Sequence, residues 1–119
     1  MPYTIQHLPD KGYTLVMFER QVTVEIALEM MVELLDVANN QNSSRFLVDH
    51  RGVPVMASTI DTFELPGRLA KIGFAPEHRL AIVYSRNESD HKFLETVSQN
   101  RGLQIKAFED INEAENWLT

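Results

Sequence analysis

The sequence predicts one α/β domain in which helices cover a mixed sheet of about five strands. Short runs rich in β-branched and aromatic residues alternate with stretches whose apolar residues have helical spacing. Two strand-like runs stand together at the start, so the predicted order is ββαβαβαβα, which demands mostly parallel pairing. Because 119 residues suit one hydrophobic core, we expect residues 1–119 to form a single domain.

The chain begins with a predicted β-hairpin. Tyr3 to His7 and Tyr13 to Glu19 are rich in strand-forming residues, and Pro9 to Gly12 between them supplies residues typical of turns. An exposed edge strand in such a hairpin makes a homodimer plausible.

A helix and a central strand are predicted next. Thr23 is the natural N-cap of the helix, whose apolar residues follow helical spacing: Val24, Ala27, Leu28, Met31, Leu34, Leu35 and Ala38. Arg45 to Asp49 is a short, mostly apolar run that ends in a carboxylate, which is typical of a buried central strand.

A second helix is predicted from Ser58 or Thr59 towards Gly73. Pro66 removes one backbone donor within it, so we expect a kink or two short helices. The spacing predicts that four apolar residues face inward: Ile60, Phe63, Leu69 and Ala70.

Two further strand–helix pairs complete the prediction. Arg79 to Tyr84 and Leu103 to Phe108 are the strands, and Gly102 is expected in the left-handed conformation that ends a helix. We predict that the two helices begin with Ser85 and Asp110 as caps, supported by an acidic residue three positions later: Glu88 and Glu113.

Composition excludes several classes of function. The chain has no cysteine, which removes disulfides and thiolate chemistry, and the net charge of -6 disfavours nucleic acid as a partner. No signal peptide or apolar run long enough for a membrane span is present in the sequence, so the cytoplasm is the expected location.

No catalytic or cofactor motif stands out. The five glycines do not form a phosphate-binding loop, and the four histidines include no pair at helical spacing, so we expect no cofactor, no metal and no enzyme activity. One alternative stays open at the end of the third strand, in Asp49, His50, Arg51 and Gly52. In one interpretation, Asp49 and His50 form a ligand-binding or general-base site. In the other, Asp49 caps loop amides while His50 and Arg51 lie in water.

From Asp49 to Thr59 the chain reads Asp-His-Arg-Gly-Val-Pro-Val-Met-Ala-Ser-Thr, and this loop resembles the signature of STAS domains, the SpoIIAA-like family. The order of elements agrees with that family along nearly the whole chain, and the tail resembles small bacterial STAS/SEC14-type proteins. The resemblance implies a bacterial anti-sigma-factor antagonist, a regulatory module without enzyme activity that binds a kinase or another regulator.

The same resemblance implies that Ser58 or Thr59 is phosphorylated at the start of the second helix. Two departures from the signature weigh against a working phosphoswitch, because Ala57 replaces an aspartate and Ile60 replaces a glycine. Capping of the helix, with Asp61 in its first turn, also accounts for both hydroxyl residues.

Two functional hypotheses follow. In the first, the loop from Asp49 to Thr59 and the following helix contact a protein partner. In the second, a lipid or small apolar ligand binds between the sheet and a mobile kinked helix, close to Phe63, Leu65 and Phe74.

Overall fold

The computed structural model describes residues 2–119, which form seven strands and four helices. Five strands lie in one sheet in the order β1-β2-β4-β6-β7, and two short strands, β3 and β5, form a separate pair. In chain order the elements are β1 (Tyr3–Leu8), β2 (Tyr13–Phe18), β3 (Val22–Thr23), α1 (Val24–Gln41), β4 (Arg45–Asp49), β5 (Val55–Met56), α2 (Thr59–Ile72), β6 (Arg79–Val83), α3 (Glu88–Asn100), β7 (Gln104–Phe108) and α4 (Ile111–Leu118).

The predicted mixed five-stranded sheet is confirmed. β1 and β2 form the antiparallel hairpin, with Tyr3 opposite Phe18, and the other neighbouring strands are parallel. The sequence did not predict β3 and β5, which pair in parallel through Val22 with Val55 and Thr23 with Met56. Two residues are too few to show the alternation that identifies a strand.

Local chemistry fixes several helix ends as predicted. Thr23 caps α1 by accepting a hydrogen bond from the amide of Ile26 at 3.2 Å. Asp110 caps α4, and Gly102 has the positive φ of 76° expected after α3. The predicted Ser85 cap is wrong, because α3 begins at Glu88 after Asn87, and the Ser85 hydroxyl accepts a hydrogen bond from the amide of Gly52 instead.

Helix α2 is continuous through Pro66, so the alternative of two short helices is wrong. The predicted inward face is also wrong for three residues, because Ile60, Phe63 and Ala70 are exposed and only Leu69 is buried. The helix instead buries the stripe formed by Thr62, Pro66 and Leu69. This stripe includes a threonine, whose hydroxyl donates to the carbonyl of Ser58 at 3.0 Å and is thereby satisfied.

The sheet separates two hydrophobic clusters. Helix α4 covers one face, where Ala114 and Leu118 pack on Leu47 and Ala81. Helices α1, α2 and α3 lie over the other face, but α2 packs mainly on α1 and α3 rather than on the strands. This arrangement leaves α2 raised above the sheet.

None of the helices in residues 2–119 has the length and apolar content that crossing a membrane requires.

Candidate functional site

Asp49 lies at the carboxyl end of β4, and its carboxylate is hydrogen-bonded within the loop that follows. One carboxylate oxygen accepts hydrogen bonds from the backbone N of Arg51 at 2.9 Å and from its Nε at 3.1 Å, and the other accepts from Nη2 at 2.9 Å. Burial raises the pKa of Asp49, but the hydrogen bonds from Arg51 outweigh burial and hold this pKa below its ordinary value. Asp49 and Arg51 therefore act together to fix the start of the loop.

His50 points away from this pair and contacts a histidine of α3. Its Nδ1 lies 3.1 Å from Nε2 of His91, and both rings are buried. Phe18 meets the His50 ring edge-on at 5.0 Å between centroids, and Tyr84 stacks on His91 at 4.6 Å. The structure thus forms a His50–His91 pair, and it forms no hydrogen-bonded Asp49–His50 pair.

Burial controls the protonation of the two rings. It is the largest influence on His50, followed by the neighbouring His91, and together they lower the pKa of His50 to about 3. Burial also lowers the pKa of His91. Within residues 2–119, no group of three or more histidine, aspartate or glutamate side chains is placed to hold a metal ion.

The loop between β4 and α2 is tied to the segment before α3 by Ser85, which the sequence predicted only as a helix cap, and by Asn87. The amide of Gly52 donates to Oγ of Ser85 at 2.8 Å, and the amide of Val55 donates to Oδ1 of Asn87 at 3.1 Å. Pairing of β5 with β3 holds the other side of the loop. No short motif signals this arrangement, because the two groups of residues lie about thirty positions apart in the chain.

Both candidate phosphorylation residues are accessible. Ser58 and Thr59 are exposed, and Ser58 caps α2 by accepting a hydrogen bond from the amide of Asp61 at 3.0 Å. Thr59 is the first residue of the helix. The hydroxyls therefore lie beside the free amides of a helix N-terminus, and the observed cap also accounts for Ser58 as a structural residue.

Three large apolar side chains are exposed around the same helix start. Met56 is 57% exposed, Ile60 69% and Phe63 54%. Ile60 and Phe63 are three residues apart and so share one face of α2, and Met56 belongs to the short strand that precedes the helix. We call these three residues the apolar patch.

A partly enclosed apolar cavity of about 70 Å³ lies between α2 and the sheet. Of the three predicted ligand-pocket residues, Leu65 lines this cavity, whereas Phe63 is exposed and Phe74 is buried in the core away from the cavity wall. His50 and His91 lie on the wall. The cavity exists because α2 rests on α1 and α3 and leaves space above the strands.

Comparison with known proteins identifies the fold. The sequence matches no known family model and no curated protein. Among solved structures, a protein of the DUF3478 family with a SpoIIAA-like fold from Shewanella loihica PV-4 is similar, with a TM-score of 0.61 and 21% identity over 98% of this chain and 92% of the other. The anti-sigma factor antagonist SpoIIAA in its unphosphorylated form is similar with a TM-score of 0.55 and 9% identity, over 97% and 96%.

The fold of this chain is SpoIIAA-like. The resemblance to STAS domains that the loop from Asp49 to Thr59 suggested is therefore confirmed at the level of the fold. The same loop follows the central parallel strand β4, where the carboxyl ends of strands in open α/β sheets form binding sites. In this SpoIIAA-like chain, the exposed apolar patch lies within and directly after the loop, and the buried His50 that contacts His91 lies at the start of the loop.

Proposed function

We propose that this protein is a non-enzymatic regulatory module that binds a partner protein through the loop 49–58 and the outer face of α2. The observation that carries the proposal is the apolar patch of Met56, Ile60 and Phe63 beside a loop that is held by hydrogen bonds. Large apolar side chains grouped on the surface are typical of protein interfaces. A loop that is already ordered loses little conformational freedom on binding.

The charges around the patch favour a protein partner over an anionic membrane. Asp61 and Glu64 follow directly after Ile60 and Phe63 in α2, and the chain has a net charge of -6. An anionic surface would repel these carboxylates, whereas a protein partner can present basic groups to them.

Affinity purification with matched variants tests the proposed surface. We expect wild-type protein to recover a partner whose affinity falls at least tenfold in the Ile60→Ser, Phe63→Ser double variant, because central apolar residues dominate interface energies. Val32→Ser is the matched control, since Val32 is 54% exposed on α1, outside the patch. If the partner binds the double variant as tightly as the wild type, the patch is not the interface.

We further propose, from the STAS resemblance, that negative charge at Ser58 or Thr59 weakens this interaction. A phosphate there would lie between the helix amides and the partner, next to the apolar patch. We expect the Ser58→Glu, Thr59→Glu double variant to bind the partner more weakly than the Ser58→Ala, Thr59→Ala double variant. Equal affinities would contradict the switch and leave the interface itself standing.

A second candidate function is binding of a small apolar ligand in the cavity below α2. The cavity of about 70 Å³ supports this candidate, because close-packed domains have few voids larger than a water molecule. An engineered apolar cavity of about 150 Å³ is known to bind benzene, so this space suits a smaller molecule or one that extends through the opening.

A further inference from the structure

The direction of the hydrogen bonds between the two buried histidines can be derived from their partners. Nδ1 of His91 lies 2.9 Å from the carbonyl oxygen of Asn87, and a carbonyl oxygen can only accept, so Nδ1 of His91 must donate. In a neutral ring Nε2 of His91 is then an acceptor. His50 consequently donates from Nδ1 to His91, and Nε2 of His50 has a free lone pair.

This lone pair has no partner in residues 2–119 and is not sealed off. Nδ1 makes the hydrogen bond of the His50 ring, to His91, and leaves Nε2 unpaired. Among the described residues, the Tyr3 hydroxyl is the only side-chain polar atom that is both sealed from solvent and without a partner. Nε2 of His50 is not such an atom, since His50 lines the cavity and keeps 8% of its surface exposed.

The other polar side chains on the cavity wall already have partners. His91 uses both ring nitrogens, and the remaining three each form a hydrogen bond at the start of their own helix: Thr23, Thr62 and Asp90. The rest of the wall consists of apolar side chains, such as Val48, Leu65 and Ile82. Among the ring nitrogens of the described wall, Nε2 of His50 is thus the one that still lacks a hydrogen.

The surroundings define which ligand group can meet this acceptor. A carboxylate has no hydrogen to donate to Nε2 and would lose its hydration among apolar side chains. An ammonium would lose its hydration among apolar side chains, which disfavours it. A hydroxyl fits, because it supplies one hydrogen-bond donor and its burial costs little free energy once that donor is paired.

We propose that the cavity binds a small apolar alcohol whose hydroxyl donates a hydrogen bond to Nε2 of His50. This proposal rests on the second candidate function, and it adds the polar group that the ligand must carry. Burial keeps the His50 ring neutral at ordinary pH, since its pKa is about 3, so Nε2 accepts a hydrogen bond without taking the proton. The hydrogen bonds from His91 to Asn87 and from His50 to His91 fix the orientation of the His50 ring.

The test compares 1-butanol with its isomer methyl propyl ether, which has the same atoms but no hydrogen to donate. Affinities for both are measured by NMR titration of the wild type and of His50→Phe, which keeps an aromatic ring and removes the acceptor. We expect the preference for the alcohol over the ether to be about three- to tenfold larger in the wild type than in the variant. The comparison cancels the difference in hydration between the two ligands.

An NMR measurement on the wild type alone tests the proposal even if His50→Phe fails to fold. The ¹⁵N resonance of Nε2 of His50 should move upfield when 1-butanol binds and remain in place with the ether. An unchanged resonance with saturating alcohol overturns the proposal.

A second pair of variants locates the ligand. Ala27 lines the cavity and Ala70 is exposed on α2, so Ala27→Leu should abolish binding of 1-butanol while Ala70→Leu leaves it unchanged. Alcohol binding that survives Ala27→Leu places the ligand elsewhere and overturns the proposal.

If alcohol and ether bind in the cavity with the same preference in the wild type and His50→Phe, ligand binding stands and the role of His50 falls. If neither ligand binds, both fail.

Discussion

The two faces of the sheet are closed in different ways. On one face α4 packs directly on the strands, with Ala114 fully buried, and arginines from the neighbouring strands β4 and β6 bind the last carbonyls of the helix. Arg45 donates to the carbonyl of Leu118 at 3.0 Å, and Arg79 donates to that of Trp117 at 2.9 Å. On the other face α2 packs mainly on α1 and α3, and a cavity lies between it and the strands.

This difference separates a face that is fastened by polar contacts from a face that has a cavity and exposed apolar side chains. Cations at the C-terminus of α4 complement the helix dipole and satisfy carbonyls that have no partner within the helix. No comparable polar contact fastens α2 to the sheet within the described residues, and its outer face presents Ile60 and Phe63. Two residues of the apolar patch, Ile60 and Phe63, and part of the cavity wall therefore belong to the same helix, α2.

The largest effect is expected from adding volume on each face. Ala114→Leu should lower the free energy of unfolding by about 3 kcal/mol, because the added atoms have no space between α4 and the sheet. Ala27→Leu should change it by less than about 0.5 kcal/mol, because its side chain enters the cavity. Urea unfolding of both variants measures the difference, and equal losses would show that the two faces are packed alike.

A smaller effect is expected from acid on the cavity face. The pKa of His50 is about 3 in the folded protein and 6.5 ordinarily, so the unfolded chain binds more protons between these values. The stabilisation is complete above pH 6.5 and is lost as the pH falls towards 3. Between pH 6.5 and pH 5 the contribution of His50 should fall by about 2 kcal/mol, which urea unfolding at several pH values measures.

His50→Phe is the control for this pH dependence. It removes the titrating group and keeps an aromatic ring in the space, so its stability should depend less on pH between 5 and 6.5 than that of the wild type. His91, whose pKa burial also lowers, still contributes in the variant. Identical pH profiles for wild type and variant would show that His50 is not held neutral by burial.

The sequence was sufficient to predict the features that depend on local pattern. The strand from Arg45 to Asp49 and the caps at Thr23 and Asp110 were predicted where the structure has them. The SpoIIAA-like fold was also predicted, because the loop from Asp49 to Thr59 and the order of the elements resemble that family. The strand and the two caps involve residues within a few positions of one another.

The candidate site could be predicted only in part, because its contacts join distant segments. Asp49 and His50 were selected, but His91 was not, since nothing in the sequence indicates that residues 50 and 91 meet. Ser85 was assigned to a helix cap although tertiary structure directs its hydroxyl to the loop at Gly52. The orientation of α2 was wrong at Phe63 because the neighbouring helices, and not the spacing alone, decide which stripe is buried.

The smallest effect is expected from two tyrosine hydroxyls on opposite faces of the sheet. Tyr13, in the α4 cluster, donates to the carboxylate of Glu115 at 2.6 Å, and Tyr13→Phe should cost about 1 kcal/mol of stability. The buried Tyr3 hydroxyl, on the cavity face, forms no hydrogen bond within residues 2–119. Tyr3→Phe should therefore be neutral or slightly stabilising, because it removes a polar group that burial leaves unsatisfied.

Thermal and urea unfolding of the two variants complete this comparison. Both substitutions delete the same oxygen from the same side chain, so the hydrophobic transfer terms nearly cancel between them and the hydrogen-bonding partner remains as the main difference. Burial, together with the nearby Glu33, raises the pKa of Tyr3 to about 12, which keeps the hydroxyl protonated in such experiments. If Tyr3→Phe loses as much stability as Tyr13→Phe, Glu33 reaches the Tyr3 hydroxyl in solution. A polar contact between α1 and β1 would then stabilise the cavity face as strongly as the Tyr13–Glu115 contact stabilises α4.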